Sequence, residues 1–336
     1  MDVEKAFKEI ESLLLQKQLP HYSLLFNLLT ETSECLDLEI ENYRPAAESG
    51  NAGSFLDFRN SSIPVVVVPD LHARPFFLLN ILKYKFSDGK TVFEKLAANS
   101  LLLVFVGDIL HSERKAKERW VAARVEFEEE IFTGPAISAE MQEGLSLMTG
   151  LFKLKTLFPK NCHILKGNHE NIYNVTRSGD YGFRKYADEG NMCRIFLQEQ
   201  YGDDIVYLIH CIESGLPLFF AGKNCTVSHA EPKKFYTKNE LINARTIPDV
   251  VEGLTWTAND DAQADSVELI HRELYKETQT DNCVHLGGHR PVTGKFSARQ
   301  QNRYIQIHNP SRQNVAVVNP EVKFNPETDI VEVGNE

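Results

Sequence analysis

Apolar positions near the start of the chain recur at the spacing of a helix. They lie three or four residues apart and so share one face: Val3, Phe7, Ile10 and Leu14. Residues 21–45 show a similar pattern and are predicted to be largely helical, and the segment ESGNAGS that follows has the composition of a flexible link. The chain is therefore predicted to begin with a helical extension over residues 1–60.

The pattern changes from Ile63 onward. Continuous apolar runs (IPVVVV, SLLLVFV, NCHILKG) alternate with helical patterns such as FFLLNILKYKF, as expected for strands of a sheet that is covered on both faces. Two later segments, IVYLIHCIESGLPLFFAG and RYIQIHNPSRQNVAVVNP, each predict two strands around a turn and hence a second, more antiparallel sheet. These patterns predict one α/β (α+β) domain over residues 61–320, followed by a C-terminal tail, residues 321–336.

Composition limits the partners and the compartment of this protein. Its 336 residues are 42% hydrophobic and 25% charged, as in globular proteins, and the net charge of −11 disfavours binding to nucleic acid or to an anionic membrane. No apolar run is long enough to cross a bilayer, and the N-terminus lacks the basic-then-apolar order of a secretory signal. Six scattered cysteines without a C-x-x-C pair indicate reduced thiols. A cytoplasmic protein is expected.

Polar side chains follow five of the predicted strands, often beside a glycine that allows a sharp turn. They are Asp70 and His72 in VVVVPDLH, Asp108 in LLLVFVGD, the segment Gly167-Asn168-His169-Glu170 after HILK, His229 in FFAGKNCTVSH and His289 in NCVHLGGH. Ligands in open α/β sheets bind outside the carboxyl ends of the strands, so these side chains are expected to converge. Each motif alone is weak, and their combination carries the prediction.

The order D-x-H, G-D, G-N-H-E, an isolated His and G-H resembles that of the calcineurin-like metallophosphoesterases. The resemblance covers roughly residues 63–295 and is nearest to the phosphoprotein phosphatases and the bacterial diadenosine-tetraphosphate hydrolases. It implies a two-sheet β-sandwich flanked by helices. It also implies hydrolysis of a phosphate ester or phosphoanhydride by a binuclear metal centre with a bridging hydroxide. The substrate would be a phosphorylated small molecule, a nucleotide or a phosphoprotein.

The resemblance assigns a role to each of these side chains. Asp108 bridges two divalent metal ions, Asp70 and His72 complete the first metal site, and the second metal site is completed by Asn168, His229 and His289. Imidazole and oxygen ligands together favour Mn, Fe, Zn or Ni. His169 is the general acid that donates a proton to the leaving group.

The second motif departs from the family pattern G-D-x-V-D-R-G, because here it reads GDILHSE. His111 replaces the Asp that orients the family's general acid, and Ser112 replaces the Arg that binds phosphate. Pro69 and Ala73 stand where the family prefers glycines. Loss of the Arg removes a bidentate phosphate contact, which argues against a general protein Ser/Thr phosphatase and favours another phosphomonoester or a nucleotide-like phosphoanhydride.

Three cations near the motifs are candidates to replace the missing Arg: Arg74, Lys166 and Arg290. Arg74 ranks first, because in an extended turn alternate residues point to the same side and Arg74 would be in phase with Asp70 and His72. Each of the three could also be an ordinary surface charge, which is the usual place of a lone Lys or Arg.

Two alternatives stay open at the level of sequence. The charged segment ERKAKERWVAARVEFEEEIF is predicted to be a helix, which could form a lid over the metal site or lie solvated on the surface. The chain could also be a non-catalytic metal-binding relative that acts as an interaction protein. All six predicted ligand positions hold residues able to bind metal, which favours the enzyme.

Overall fold

The computed structural model describes residues 2–39, 41 and 43–334 and contains two β-sheets. The strands are β1 (Phe55–Asp57), β2 (Val65–Val68), β3 (Leu102–Phe105), β4 (Cys162–Ile164), β5 (Phe219–Ala221), β6 (Cys225–Val227), β7 (Val284–Gly287), β8 (Ser297–Arg299), β9 (Tyr304–Gln306), β10 (Asn314–Val318) and β11 (Ile330–Glu332).

Each sheet contains a block of three parallel strands. The five-stranded sheet has the order β11-β10-β2-β3-β4, in which β2, β3 and β4 are parallel and β10 lies antiparallel to both of its neighbours. The six-stranded sheet has the order β1-β5-β6-β7-β9-β8, in which β6, β7 and β9 are parallel. Both sheets are therefore mixed, and the second is less antiparallel than the sequence suggested.

Helices cover the outer faces of the sheets. They are α1 (Val3–Leu14), α2 (Tyr22–Asp37), α3 (Pro75–Lys83), α4 (Val92–Ala97), α5 (Lys117–Glu128), α6 (Pro135–Leu157), α7 (Glu189–Tyr201), α8 (Asp203–Gly215), α9 (Lys238–Ile242), α10 (Pro248–Thr255), α11 (Ser266–Leu274), α12 (Glu277–Thr280) and α13 (Pro326–Asp329). Two short 3-10 helices span Arg114–Ala116 and Ala244–Thr246.

The alternation of side chains along β2 shows how the layers meet. Val66 and Val68 pack against the helices on one face, whereas Val65 and Val67 face the six-stranded sheet. All four valines are buried, which explains why this strand is apolar without interruption. A third apolar cluster lies between the six-stranded sheet and α9, α10 and α11. The order of layers is helices, sheet, sheet, helices, so the predicted two-sheet sandwich flanked by helices is confirmed.

The N-terminal helices share the core of the sandwich. α1 and α2 pack against α6 and α8 and bury Ile10, Leu14 and Leu25. α1 lies so close to α6 that a Cβ at Gly150 would come within 2.4 Å of Leu14 Cδ2. Buried Glu39, just after α2, pairs with Lys155 of α6 at 2.6 Å. Apolar packing and buried charge therefore both hold the predicted extension against the sheets.

The sheets also use strands from outside residues 61–320. β1 belongs to the predicted extension and pairs with β5, and β11 belongs to the predicted C-terminal tail and pairs with β10. The segments 1–60 and 321–336 include residues 1, 40, 42, 335 and 336, which lie outside the described residues. The boundaries themselves stay a prediction.

One predicted strand is wrong. The segment IVYLIHCI lies within helix α8, where the apolar residues that looked like a strand are spaced to face the core: Ile205, Val206, Ile209 and Ile212. In RYIQIHNPSRQNVAVVNP both strands form, as β9 and β10, but they lie in different sheets and do not pair as a hairpin. A short apolar run fits the period of a strand as well as that of a helix. Here packing against α2 and α7 favours the helix.

All six cysteines are free. Within the part of the chain that the structure describes, no helix is both long enough and apolar enough to span a bilayer.

Candidate metal centre

The two parallel blocks bring their carboxyl ends to one place. β2, β3 and β4 lead to Asp70, Asp108 and Asn168, and β6 and β7 lead to His229 and His289. These side chains and His72 are all buried or nearly so. The structure thus brings together all six side chains predicted as ligands, from strand ends of both sheets.

The side chains of the second predicted ligand set lie within hydrogen-bonding distance of one another. The side-chain oxygen of Asn168 lies 2.8 Å from His229 Nε2 and 3.0 Å from His289 Nδ1, and the two ring nitrogens are 3.3 Å apart. His229 donates its Nδ1–H to the carbonyl oxygen of Val106 at 2.9 Å, which leaves a lone pair on Nε2. A ligating histidine commonly has its other nitrogen held in this way.

The first predicted set has the same arrangement. His72 donates its Nδ1–H to the carbonyl oxygen of His111 at 3.0 Å, so Nε2 carries a lone pair, and this nitrogen lies 3.9 Å from Asp70 Oδ2. Asp70 Oδ1 accepts the backbone N–H of His289 at 3.1 Å. This approach requires the preceding glycine, because a Cβ at Gly288 would lie 1.9 Å from Asp70 Oδ1.

Asp108 lies between the two sets. Its Oδ2 is 3.6 Å from His72 Nε2 and 3.6 Å from His229 Nε2. Glu170, the acidic residue of GNHE, accepts the backbone N–H groups of Asp108 at 2.8 Å and of Gly167 at 2.7 Å. Glu170 therefore fixes two of the strand ends relative to each other, and Asp108 can reach a ligand position in both sets.

The electrostatics of the cluster fit divalent cations. Asp70 and Asp108 are fully buried, yet among the side chains that the structure describes no lysine or arginine forms an ion pair with either of them. Burial, together with the neighbouring carboxylates Asp70 and Glu170, raises the pKa of Asp108 well above its ordinary value. Burial lowers the pKa of His72 to about 3, which keeps the ring neutral as a metal ligand must be. Buried carboxylates and neutral imidazoles that lack a counter-charge fit a cationic centre.

His169 is at the edge of this cluster. Its Nε2 lies 3.8 Å from Asp108 Oδ2, and its ring stacks on Phe183 with 4.5 Å between the ring centroids. Burial lowers the pKa of His169 well below its ordinary value, and the nearby rings of His111 and His72 add to this. A protonated His169 therefore depends on negative charge that a bound phosphate would bring.

A carboxylate from another element lies near His111, at the position where the family motif has its Asp. His111 is buried, stacks on Trp120 and places its Nε2 3.5 Å from a carboxylate oxygen of Glu189, which is itself fully buried on α7. The rings of His111 and His169 are 4.8 Å apart. His111 therefore lies between Glu189 and His169. The family motif would instead place its acid directly beside the residue at position 169.

Helix α5, which follows this motif, is anchored by its buried residues. Trp120 and Ala123 are buried, the helix packs against α6, and Trp120 donates its indole N–H to the carbonyl oxygen of Ser112 at 3.0 Å. The rest of α5 is largely exposed. α5 thus lies on the surface with one buried face, and its Arg119 lines the cleft next to the cluster.

Arg74 is not positioned as the sequence suggested. The expected extended turn is wrong, because His72 and Ala73 have φ angles of 43° and 50° and turn the chain through the left-handed region. The guanidinium group of Arg74 donates to backbone carbonyl oxygens, at 2.8 Å to Asp70 and 3.1 Å to Arg312, and lies 4.6 Å from the ring centroid of Phe77. Its donors are used to hold the loops around the centre.

The other two candidate phosphate ligands have different surroundings. Lys166 donates to the carbonyl oxygen of Glu170, lies 3.4 Å from a carboxylate oxygen of Asp180, and lines a separate cavity of ≈ 160 Å³ that contains none of the six predicted metal ligands. Arg290 is exposed and directly follows His289. Of the three candidates, Arg290 is the one with an exposed side chain next to the cluster.

Two further ionisable residues lie against the first ligand set. His308 places its Nδ1 3.6 Å from Asp70 Oδ2, and Glu113 places a carboxylate oxygen 3.7 Å from His72 Nε2. Neither residue was predicted from the sequence as part of the site. His308 had a usable signal, because it follows β9 by two residues, as His229 follows β6 and His289 follows β7. Glu113 lies in an irregular turn, and nothing in its sequence context distinguishes it from a surface acid.

A cleft of ≈ 700 Å³ opens beside His72 and Glu113. The end of α1, the start of α3 and the segment from residue 112 to α5 form its walls, and Lys17 and Arg119 contribute positive charge to its lining. Arg119 reaches to 3.3 Å from Ser112 Oγ, at the position where the family motif has its Arg, but it also pairs with Glu140 at 2.5 Å. The cleft offers space for a substrate next to the cluster.

Comparisons with solved structures agree with this fold. A protein serine/threonine phosphatase from Saccharomyces cerevisiae superposes with a TM-score of 0.63 at 14% identity, and the match covers 99% of this chain and 95% of that chain. A cold-active protein tyrosine phosphatase gives 0.41 at 16% identity, covering 76% and 73%. A protein whose assignment as a diadenosine tetraphosphatase is itself provisional gives 0.42 at 13% identity, covering 83% and 97%. At such low identities a structural match supports the fold alone. Of these three, only the first, with its TM-score of 0.63, gives that support.

No curated protein matches the sequence closely enough to inform its function. The family model described as calcineurin-like phosphoesterase, however, matches residues 63–318, which is more than half of the chain. The matched region contains all the strand ends that build the cluster. The chain therefore belongs to the calcineurin-like phosphoesterase family.

Proposed function

We propose that this protein is a metal-dependent hydrolase of a phosphate ester or phosphoanhydride, with a binuclear centre held by the six clustered side chains. The observation that carries the proposal is the position of Asp108, whose Oδ2 lies 3.6 Å from a ring nitrogen of each ligand set. Two cations close together repel each other, and a shared carboxylate between them offsets that repulsion. Mn, Fe, Zn or Ni suits the mixture of imidazole and oxygen donors.

The first site would be formed by Asp70, His72 and Asp108, and the second by Asp108 with the remaining three ligands: Asn168, His229 and His289. Two divalent ions bound there would supply positive charge to the phosphoryl group and activate a water molecule as the nucleophile. His169, at the edge of the cluster, would donate its proton to the leaving oxygen. Glu170 keeps the strand ends in register through its bonds to backbone N–H groups.

The cleft beside His72 supports a substrate that extends beyond its phosphate group. Its ≈ 700 Å³ and its positively charged residues suit a phosphorylated small molecule or a nucleotide, and a phosphoprotein segment is the alternative. The pairing of Arg119 with the buried carboxylate of Glu140 leaves less positive charge for phosphate than the family motif provides. We place the enzyme in the cytoplasm, where its six free thiols would stay reduced.

The test is metal analysis of the purified full-length chain, combined with turnover of phosphomonoesters and dinucleoside polyphosphates in added Mn²⁺. We expect two ions per chain and activity that chelators abolish. Two bound ions without turnover on any phosphate substrate would instead support a non-catalytic metal-binding relative. If the Mn²⁺-loaded protein never holds more than one ion per chain, the binuclear proposal fails.

Arginine variants separate the loop-holding role from phosphate binding. Arg74→Ala should lower the free energy of unfolding by roughly 2–3 kcal/mol, because a guanidinium group that bonds carbonyl oxygens contributes on that scale. Arg290→Ala should leave stability within roughly 0.5 kcal/mol and lower kcat/KM by roughly ten- to hundredfold if it contacts phosphate. Chemical denaturation and steady-state kinetics measure the two effects.

Each variant is the matched control for the other. A stable Arg74→Ala protein with a raised KM would return Arg74 to the role that the sequence suggested. Unchanged kinetics of Arg290→Ala would leave Arg290 as a surface charge.

A further inference from the structure

Two buried acceptor atoms face each other beside the first ligand set. Asp70 Oδ2 and His308 Nδ1 are 3.6 Å apart, and both residues are fully buried. In the described part of the chain neither atom has a hydrogen-bond partner. A buried polar atom without a partner is costly, so a pair of them pointing at the same space needs an explanation.

The hydrogen bond at the far side of the ring decides which nitrogen of His308 carries the proton. His308 Nε2 lies 3.0 Å from a carboxylate oxygen of Glu113. An ionised carboxylate only accepts, so Nε2 carries the proton and donates it, and Nδ1 is left with a lone pair directed towards Asp70. Two lone pairs at this distance repel, and a proton on Nδ1 or a cation between the atoms would remove the repulsion. A proton on Nδ1 would make the buried ring itself cationic, whereas a metal ion would be shared with Asp70.

The arrangement at His308 repeats what is seen at His72 and His229. Each of these rings donates one N–H to a fixed acceptor and turns its other nitrogen towards the cluster. A carboxylate behind a ligating histidine is a common means of orienting the ring and raising its basicity. Ligand atoms of Asp70, His72 and His308 also lie within 4.8 Å of one another.

We propose that His308 is a further ligand of the first metal ion, oriented by Glu113. This inference rests on the proposed binuclear centre and adds a residue that lies outside the motifs of the resemblance. Two imidazoles and two carboxylates, from Asp70, His72, Asp108 and His308, would then hold the first ion. Glu113 also pairs with Lys185 at 2.5 Å, which fixes the carboxylate that holds the ring.

The experiment measures Mn²⁺ binding to the full-length apoprotein by titration calorimetry and electron paramagnetic resonance. Wild type should bind two ions, and His308→Ala should weaken one of them by at least tenfold, the lower limit seen when a partner of a ligating histidine is removed. At limiting Mn²⁺ the variant should show the spectrum of an isolated ion in place of a coupled pair. Glu113→Gln should lose less affinity, since its amide oxygen can still accept from Nε2.

His271→Ala is the matched control, because His271 is another fully buried histidine that bonds Thr226 and none of the proposed ligands. It should bind two ions with wild-type affinity. Two ions bound with wild-type affinity by His308→Ala would overturn the role of His308 and leave the binuclear proposal intact. A single ion in wild type that is lost in His308→Ala would support His308 and contradict the binuclear centre.

A crystal structure of the Zn²⁺-loaded wild type covers the case in which His308→Ala does not fold. Zn²⁺ placed by anomalous scattering at about 2.0–2.1 Å from His308 Nδ1 would support the proposal. Zn²⁺ bound to Asp70 and His72 but out of bonding distance of Nδ1 would overturn it.

Discussion

Asp108→Asn should remove both metal ions together and abolish turnover. The substitution keeps the size of the side chain but removes the negative charge that lies 3.6 Å from a ligand nitrogen of each set. Positive charge at a phosphoryl group contributes several kcal/mol to the transition state, so a fall in kcat of about 10³-fold or more is expected. Metal content by mass spectrometry and turnover of a nitrophenyl phosphate measure the two effects.

Asp57→Asn is the control, because Asp57, the last residue of β1, pairs with Arg59 at 2.7 Å and contacts none of the six proposed ligands. It should keep both ions and most of its turnover. If Asp108→Asn loses one ion and holds the other with wild-type affinity, Asp108 belongs to a single site and the bridging assignment is wrong.

His169→Ala should lower kcat by roughly 10²–10⁴-fold and leave both metal ions bound, since loss of a positioned general acid costs about that much. The loss should be large for alkyl phosphates, whose leaving oxygen needs a proton. It should be small for nitrophenyl phosphate, whose leaving group is stable as an anion. Kinetics with a series of leaving groups, together with metal analysis, test this expectation.

His210→Ala serves as the control for this prediction, because His210 lies on α8 against Tyr173 and away from the cluster. Its kinetics should match those of wild type. Equal losses for good and poor leaving groups in His169→Ala would show that His169 acts on something other than the leaving oxygen. Loss of metal from His169→Ala would make it a ligand.

The strands before Asp70 and Asp108 could be predicted because burial on both faces demands uninterrupted apolar residues. Helix α8 could not be predicted, because its apolar residues fit the period of a strand as well as that of a helix. Only its packing against α2 favours the helix. Sequence also could not reveal that β10 leaves the sheet of its neighbour β9, because strand pairing depends on contacts between segments far apart in the chain.

The convergence of the six candidate ligands followed from one physical rule, that parallel strands end at the same edge of a sheet. The turn after β2 could not be predicted, because Ala73 adopts a φ of 50° that favours glycine. That turn directs the guanidinium group of Arg74 towards backbone carbonyl oxygens. Glu189 of α7 lies 3.5 Å from His111, at the position where the motif lacks its acid, and proximity between such distant elements leaves no local pattern.

The position of β10 has a consequence for synthesis of the protein on the ribosome. β2, which leads to Asp70 and His72, emerges before the other strands of its sheet, but its antiparallel neighbour β10 spans Asn314–Val318 and emerges only after β3 to β9. Pairings between such distant segments form slowly, and until then the apolar edge of β2 is exposed to aggregation and to chaperones. The metal centre is therefore expected to be completed, and to bind its ions, only after β10 has emerged from the ribosome.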